Sequence, residues 1–270
     1  MLKDFVRQRS NMLIDQFKVI DLEHSIAEID SWAKQDFGRY LLRQQQRILQ
    51  RKYSKLPGYR LMHLGLFPDA ETLVGFEHLH SFHMSPSHLV APKSSVVSNY
   101  SEIPLPSGVV DVAVLQHAIE YSASPQAVLA EISRVVAPGG HMLLFLFNPY
   151  GPRGLIKLPM QLLTGRAEYR FHNLRKARVV DWLSLLNFQV LEIDHGAYNL
   201  PFNRQHWLEQ DSRWEKLGQK VHFPLGNFYM IHAVKRELRG ISNRTHSWRP
   251  AASNGYNSSS RKINSKKINK

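Results

Sequence analysis

Apolar residues recur along this chain with two different periods, and the switches between them mark its elements. Val109, Val110, Val112, Val114 and Leu115 form a short run broken only by Asp111 and Ala113, as expected of a strand buried on both faces. Ser124-Pro125 then opens a helix, with Ser124 as cap and Pro125 at the first helical position, where a missing N–H costs nothing. Val128, Leu129, Ile132, Val135 and Val136 fall at three- and four-residue steps, so one face of that helix is apolar. Ala137-Pro138-Gly139-Gly140 should end it in a tight turn, and Met142 to Phe147 is a second, fully apolar strand. Strand, crossover helix and strand make a βαβ unit, the building block of parallel sheets.

The same reading extends in both directions. Tyr59 to Gly65 is expected as the first strand, Phe76 to Phe82 as the second and Ser95 to Ser98 as the third. After the βαβ unit come a helix at Leu174 to Leu186, a strand at Gln189 to Ile193 and a last strand at Phe228 to Val234. Ahead of them a helix is expected over Phe37 to Lys52. Leu41, Leu42, Ile48 and Leu49 line one side of it, while Arg39, Arg43, Arg47 and Arg51 step along the other. That basic side reads either as a solvated face or as a site for phosphates or acidic lipid. Between strand five and the next helix, Asn148 to Arg170 is punctuated by Pro and Gly yet carries Leu155, Ile156, Leu158, Met160, Leu162 and Leu163. It reads either as a lid over a substrate pocket at the strand ends or as a helix packed on the core edge.

Pro104-Leu105-Pro106, Val110-Asp111-Val112 and Glu131-Ile132-Ser133-Arg134-Val135-Val136-Ala137-Pro138-Gly139-Gly140 together resemble the fourth-to-fifth-strand segment of class I S-adenosylmethionine-dependent methyltransferases, closest to the small-molecule, type 11-like branch. The junction Asp181 to Val190 is similar to one found late in the same family. The resemblance covers roughly Tyr59 to Val234. It implies an α/β fold: a Rossmann-like three-layer sandwich on a mostly parallel seven-stranded sheet with the last strand antiparallel. The chain then divides into an N-terminal helical segment (1–58), a methyltransferase-like domain (59–236, with a lid-like insertion at 148–172) and a basic tail (237–270).

The resemblance also implies a cofactor, S-adenosylmethionine, and residues to hold it. The family's Gly-rich loop after strand one corresponds to His63-Leu64-Gly65-Leu66-Phe67-Pro68-Asp69. Gly65 is retained, Phe67 and Asp69 stand in place of later glycines, and His63 replaces an acid. At the end of strand two an acid normally accepts from the ribose hydroxyls, and Leu79 to His83 offers none. After strand three, Asn99 beside Tyr100 takes the place of the acid facing the adenine amine, and an amide oxygen can still accept there. Gln116 and His117 end strand four. His117 is the candidate catalytic base, since an imidazole takes a proton near neutral pH, or else it orders the loop behind the cofactor. The expected cofactor contacts are therefore His63, Gly65, Phe67, Asn99, Tyr100 and Gln116.

Composition sets the remaining bounds. With 270 residues, 43% of them hydrophobic, the chain can bury one good-sized core. It has no cysteine, which excludes disulfides and Cys-type zinc sites. His78, His80, His83 and His88 cluster, but their spacing matches no familiar zinc motif, and no metal is expected. No signal peptide or bilayer-spanning stretch is evident, so a cytoplasmic protein is expected. Of the formal charge of +13, +7 falls from Glu237 onward, where apolar residues are scarce and disorder is expected. Such a tail binds polyanions loosely or simply solubilises; no aromatics interleave its basic run for base stacking. The leading expectation is methyl transfer to a small molecule. The alternatives are a non-catalytic binding or regulatory protein of the same fold and an RNA methyltransferase using the tail.

Overall fold

In the computed structural model, seven strands follow one another as β1 (Arg60–Gly65), β2 (His80–Ser85), β3 (Val96–Val97), β4 (Val110–Gln116), β5 (Val136–Phe147), β6 (Phe188–Gly196) and β7 (Phe228–Lys235). Among the described residues the α-helices are α1 (Leu22–Ala33), α2 (Asp36–Ile48), α3 (Pro125–Val135), α4 (Pro152–Thr164) and α5 (Lys176–Leu185). The structure describes residues 19, 22–65, 75–87, 96–201 and 224–236. The expected disorder of the tail from 237 falls outside them.

The strands form one sheet in the order β3-β2-β1-β4-β5-β7-β6. All neighbours are parallel except β7, which runs antiparallel to both β5 and β6. This is the Rossmann-like arrangement expected. The central strands bear out their apolar runs: β1 from Leu61 onward is buried, as is β4 apart from Asp111. Asp111 has work of its own, since its carboxylate accepts the backbone N–H groups of Tyr59 and Arg60, each at 2.9 Å. That bond aligns the start of β1 with β4.

Three local expectations change. The second strand lies at His80–Ser85, not Phe76 to Phe82, because β1 sets its register: Arg60 pairs with His80 and His63 with His83. Periodicity alone could not choose, as Phe76, Leu79, Phe82 and Met84 follow no strict two-residue alternation through the stretch. The Ala137-Pro138-Gly139-Gly140 turn is instead the bulged start of β5. Val136 pairs with Val110 and His141 with Val112, so the residues between are looped out of register. Gly139 holds φ +78 there, which a glycine adopts freely. Ser124 is the residue preceding α3, but its side chain makes no cap bond, and Pro125 alone carries the start signal.

The N-terminal helices cover the sheet with Ile26, Ile29, Trp32, Phe37, Tyr40 and Leu41, all buried. Arg39, Arg43, Arg47 and Arg51 are exposed, as their spacing predicts. A π-helical turn at Leu49–Tyr53 follows α2. It directs Lys52 to Glu192 (2.6 Å) and Asp194 (2.8 Å) and the Tyr53 hydroxyl to Glu192 (2.8 Å). These contacts tie the end of α2 to β6 and so help to fix the position of Gln45.

Candidate functional site

In an open α/β sheet, ligands bind outside the carboxyl ends of the strands where the strand order reverses. Here that point lies between β1 and β4. The ends of these strands carry His63, Gly65 and Gln116, with His117 one residue beyond. His117 has φ +56, an unusual conformation for a non-glycine residue and one found disproportionately at functional sites.

A buried chain of hydrogen bonds crosses this point. Gln45, on α2, places its amide nitrogen 2.7 Å from His117 Nε2. An amide nitrogen only donates, so His117 Nε2 accepts and its proton sits on Nδ1, which donates to Glu120 Oε1 at 2.5 Å. The same Glu120 oxygen accepts the backbone N–H of Phe147 at 3.0 Å. In the other direction, Gln45 Oε1 accepts from Gln116 Nε2 at 3.1 Å. Gln116 Oε1 is then free to accept from His63 Nε2 at 2.8 Å. His63 is neutral, because burial first, and the adjacent His83 second, hold its pKa down to about 3. Its Nδ1 therefore accepts, and His83 Nδ1 donates to it at 2.8 Å. Burial likewise holds His83 down to about 4. The chain runs from His83 through His63, Gln116, Gln45 and His117 to Glu120, with every donor pointing the same way.

This direction leaves His83 Nε2 as an acceptor, and that atom is buried without a partner. Glu120 Oε2 is also buried and unpartnered. A buried polar atom left unpaired costs about 1–3 kcal/mol, so each marks a place where a ligand donor would be stabilising.

The expected contacts divide as follows. His63 and Gln116 are brought together as links of the chain. His117 joins them, stacked on Phe147 at 4.1 Å between centroids and fully buried. Tyr100 is buried, and its hydroxyl donates to the carbonyls of Gly65 (2.8 Å) and Met84 (3.0 Å), bracing the ends of β1 and β2. Asn99 is exposed just beyond β3, and its Oδ1 accepts from the Ser101 N–H (3.0 Å) and hydroxyl (2.8 Å). Phe67 falls outside the described residues. Sequence reading missed Gln45 and Glu120, and it noted His83 only within a stretch lacking an acid and within a histidine cluster that matched no zinc motif. The adjacent glutamines 44 to 46 gave no signal, because nothing local says that α2 crosses the strand ends.

Beyond β5, two cations of α4 are buried as well. The Arg153 guanidinium lies 4.0 Å from the Trp32 ring and 4.5 Å from Phe147, and it donates to the Glu168 carbonyl at 2.9 Å. Lys157 donates to the Phe171 carbonyl and, at 3.1 Å, to Asn173 Oδ1. Burial lowers its pKa to about 8, against a smaller raising effect from Glu120.

Comparison with known proteins agrees with this architecture. Residues 68–144 match the family model described as a methyltransferase domain. Over 213 residues the chain is 28% identical to the uncharacterized protein YafS of Escherichia coli, covering 77% of this chain and 82% of that one. Among solved structures, a SAM-dependent methyltransferase of Thermotoga maritima, described as a possible histamine N-methyltransferase, superposes with a TM-score of 0.60 at 16% identity, covering 80% of this chain and 98% of that one. A complex of a Haloferax volcanii methyltransferase with the Trm112 activator gives 0.52 at 16% identity, covering 77% of this chain and 97% of the other.

Proposed function

We propose that this chain is a class I S-adenosylmethionine-dependent methyltransferase, a reading supported by the methyltransferase-domain match over residues 68–144, and that it transfers a methyl group from S-adenosylmethionine to a small molecule at the β1–β4 switch point. The observation that carries this reading is the unpartnered His83 acceptor. His83 lies beside β1 in the strand whose end, in the resembling family, supplies the ribose acceptor. A neutral imidazole nitrogen can take hydroxyl donors in place of a carboxylate, so the residues fit the cofactor. In this reading His83 receives the ribose hydroxyls, and the backbone at Gly65 lies against the methionine portion. Asn99 meets the adenine amine once the Ser101 hydroxyl turns away. S-adenosylmethionine, when bound, supplies an already activated methyl group on its sulfonium, and the protein's contribution is to align and to exclude water.

Of the remaining links, the two glutamines position rather than react. Gln45 and Gln116 fix the histidine tautomers. His117, backed by Glu120, has the arrangement of a general base, and it gains access to an acceptor when Gln45 releases Nε2. A small acceptor is favoured over RNA because the switch-point side chains are buried behind α2, whereas Arg39, Arg43, Arg47 and Arg51 face solvent on the helix's other side.

Calorimetric titration with S-adenosylmethionine and S-adenosylhomocysteine tests this. Both should bind at one site, and His83→Ala should weaken each by roughly tenfold, the worth of one hydrogen bond to a buried acceptor. No heat from either ligand at millimolar concentration would overturn the cofactor reading.

A further inference from the structure

Glu120 is held by one carboxylate oxygen only. Oε1 accepts from His117 Nδ1 and from the Phe147 N–H, while Oε2 is buried without a partner. The backbone turns back toward the same place, since the Glu120 carbonyl accepts the His172 N–H at 2.7 Å. His172 carries a second buried and unpartnered atom, Nε2. Lys157 completes the group. Its ammonium donates to the Phe171 carbonyl and to Asn173 Oδ1, on the two residues that flank His172. It lies near enough to Glu120 for the carboxylate to oppose the fall of its pKa under burial. The pKa of His172 is lowered by burial first and by Lys157 second, with Glu120 acting in the opposite sense. The three side chains therefore lie within one another's fields, past the ends of β4 and β5 and beside His117.

Resting on the cofactor reading above, we propose that Glu120 Oε2 receives the acceptor molecule, that the acceptor is a phenol, and that Glu120 is the catalytic residue that takes its proton. An ionised carboxylate only accepts, so the missing partner is a donor. Charge selects among donors. An ammonium is drawn by Glu120 but repelled by Lys157, and a carboxylate the reverse, so only a neutral hydroxyl escapes both penalties. Acidity selects again, because a carboxylate is a weak base. A phenol, with a pKa of about 10, gives up its proton far more readily than an aliphatic alcohol, whose pKa lies near that of water, about 15.7.

In the transfer the hydroxyl oxygen attacks the methyl carbon as the C–S bond breaks, its electron pair staying on sulfur, and the hydroxyl proton passes to Glu120 Oε2. The products are an aryl methyl ether, S-adenosylhomocysteine and a neutral Glu120 carboxyl group. Lys157 stabilises the negative charge that develops on the oxygen. His117 can take a proton only once Gln45 releases Nε2, whereas Glu120 Oε2 is already bare. His172 is only half-buried, and it marks the side from which a phenol enters.

Phenol, cyclohexanol, benzylamine and benzoate are probes of similar size that differ in charge and acidity. Each is offered to the full chain saturated with S-adenosylhomocysteine and followed by saturation-transfer NMR. Phenol should bind most tightly, and with S-adenosylmethionine it alone should yield a methyl ether, anisole, detected by mass spectrometry. Glu120→Gln keeps an oxygen for His117 Nδ1 and puts an amide nitrogen in place of Oε2. It should retain the melting temperature and the heat of S-adenosylhomocysteine binding, yet lose at least about hundredfold in anisole formation. Lys157 loses its charge as pH rises through about 8, so anisole formation should fall there, and Lys157→Met should lack that fall. Preference for any of the other three probes would overturn the proposal. So would undiminished anisole formation in Glu120→Gln, which would leave Glu120 as a support for His117. Heat from S-adenosylhomocysteine without phenol binding would overturn it too and leave the cofactor reading standing. Absence of that heat would overturn both.

Discussion

Gln45 shows how much one side chain can decide. Its amide, like that of Gln116, has one end that only donates and one that only accepts, and its place between Gln116 and His117 helps to set the direction in which the protons of the chain's histidines point. Replacing it with Met keeps the volume and leaves Gln116 Nε2 and His117 Nε2 without these partners. At about 1–3 kcal/mol for each of these two buried groups, Gln45→Met should cost roughly 2–6 kcal/mol in urea unfolding. A cost below about 0.5 kcal/mol, the range of surface substitutions, would mean that the chain carries no tension of this kind. At this scale the sequence was only partly legible. His63, Gln116 and His117 could be singled out because they replace or follow residues at the ends of recognisable strands. Gln45 and Glu120 could not, since their roles come from contacts with strand ends far away in sequence or from the backbone turn at His117.

The E-x-x-R string of α3 was legible as an element, and its physical purpose is now plain. Glu131 Oε1 accepts the Ile103 N–H at 2.9 Å. Arg134 donates to the carbonyls of Leu105 (2.8 Å) and Ile103 (2.9 Å) while pairing with Glu131 at 2.6 Å. Together they fasten the segment between β3 and β4, which carries the Pro-Leu-Pro motif, to the crossover helix. Glu131→Ala and Arg134→Ala should each lower the melting temperature, and the double variant should fall little further, because both residues serve one network. Additive losses would show that they act separately. Helix α4 and strand β2 were harder to read. The leucine spacing of α4 is correct for a helix but silent on which side meets the core, and here aromatic rings on α1 and β5 accept Arg153 in preference to leucine. The register of β2 is imposed by β1, and this shift is what places His83 within the sheet beside His63.

For the molecule as a whole, the order of the sheet brings the two histidines together at the switch point, and burial keeps them neutral. Both pKa values are depressed below the ordinary 6.5. The neutral forms therefore persist in the folded state as pH falls, down to about 4 for His83 and about 3 for His63. An unfolded chain would already have protonated both, so below pH 6.5 these groups favour unfolding increasingly until their folded values are reached. Only while they stay neutral can His83 present a bare nitrogen to a hydroxyl. The apolar pattern gave the strands and their parallel arrangement because burial on both faces leaves a strong signature. The site was less legible because its acceptor is a histidine whose tautomer depends on five other side chains. The most direct test is ¹⁵N–¹H correlation of histidine side chains across a pH titration, with and without S-adenosylhomocysteine. His83 should hold its proton on Nδ1, stay neutral to pH 5, and show a shift at Nε2 when the ligand is added. A proton on Nε2, titration near pH 6.5, or an Nε2 signal indifferent to the ligand would contradict the account.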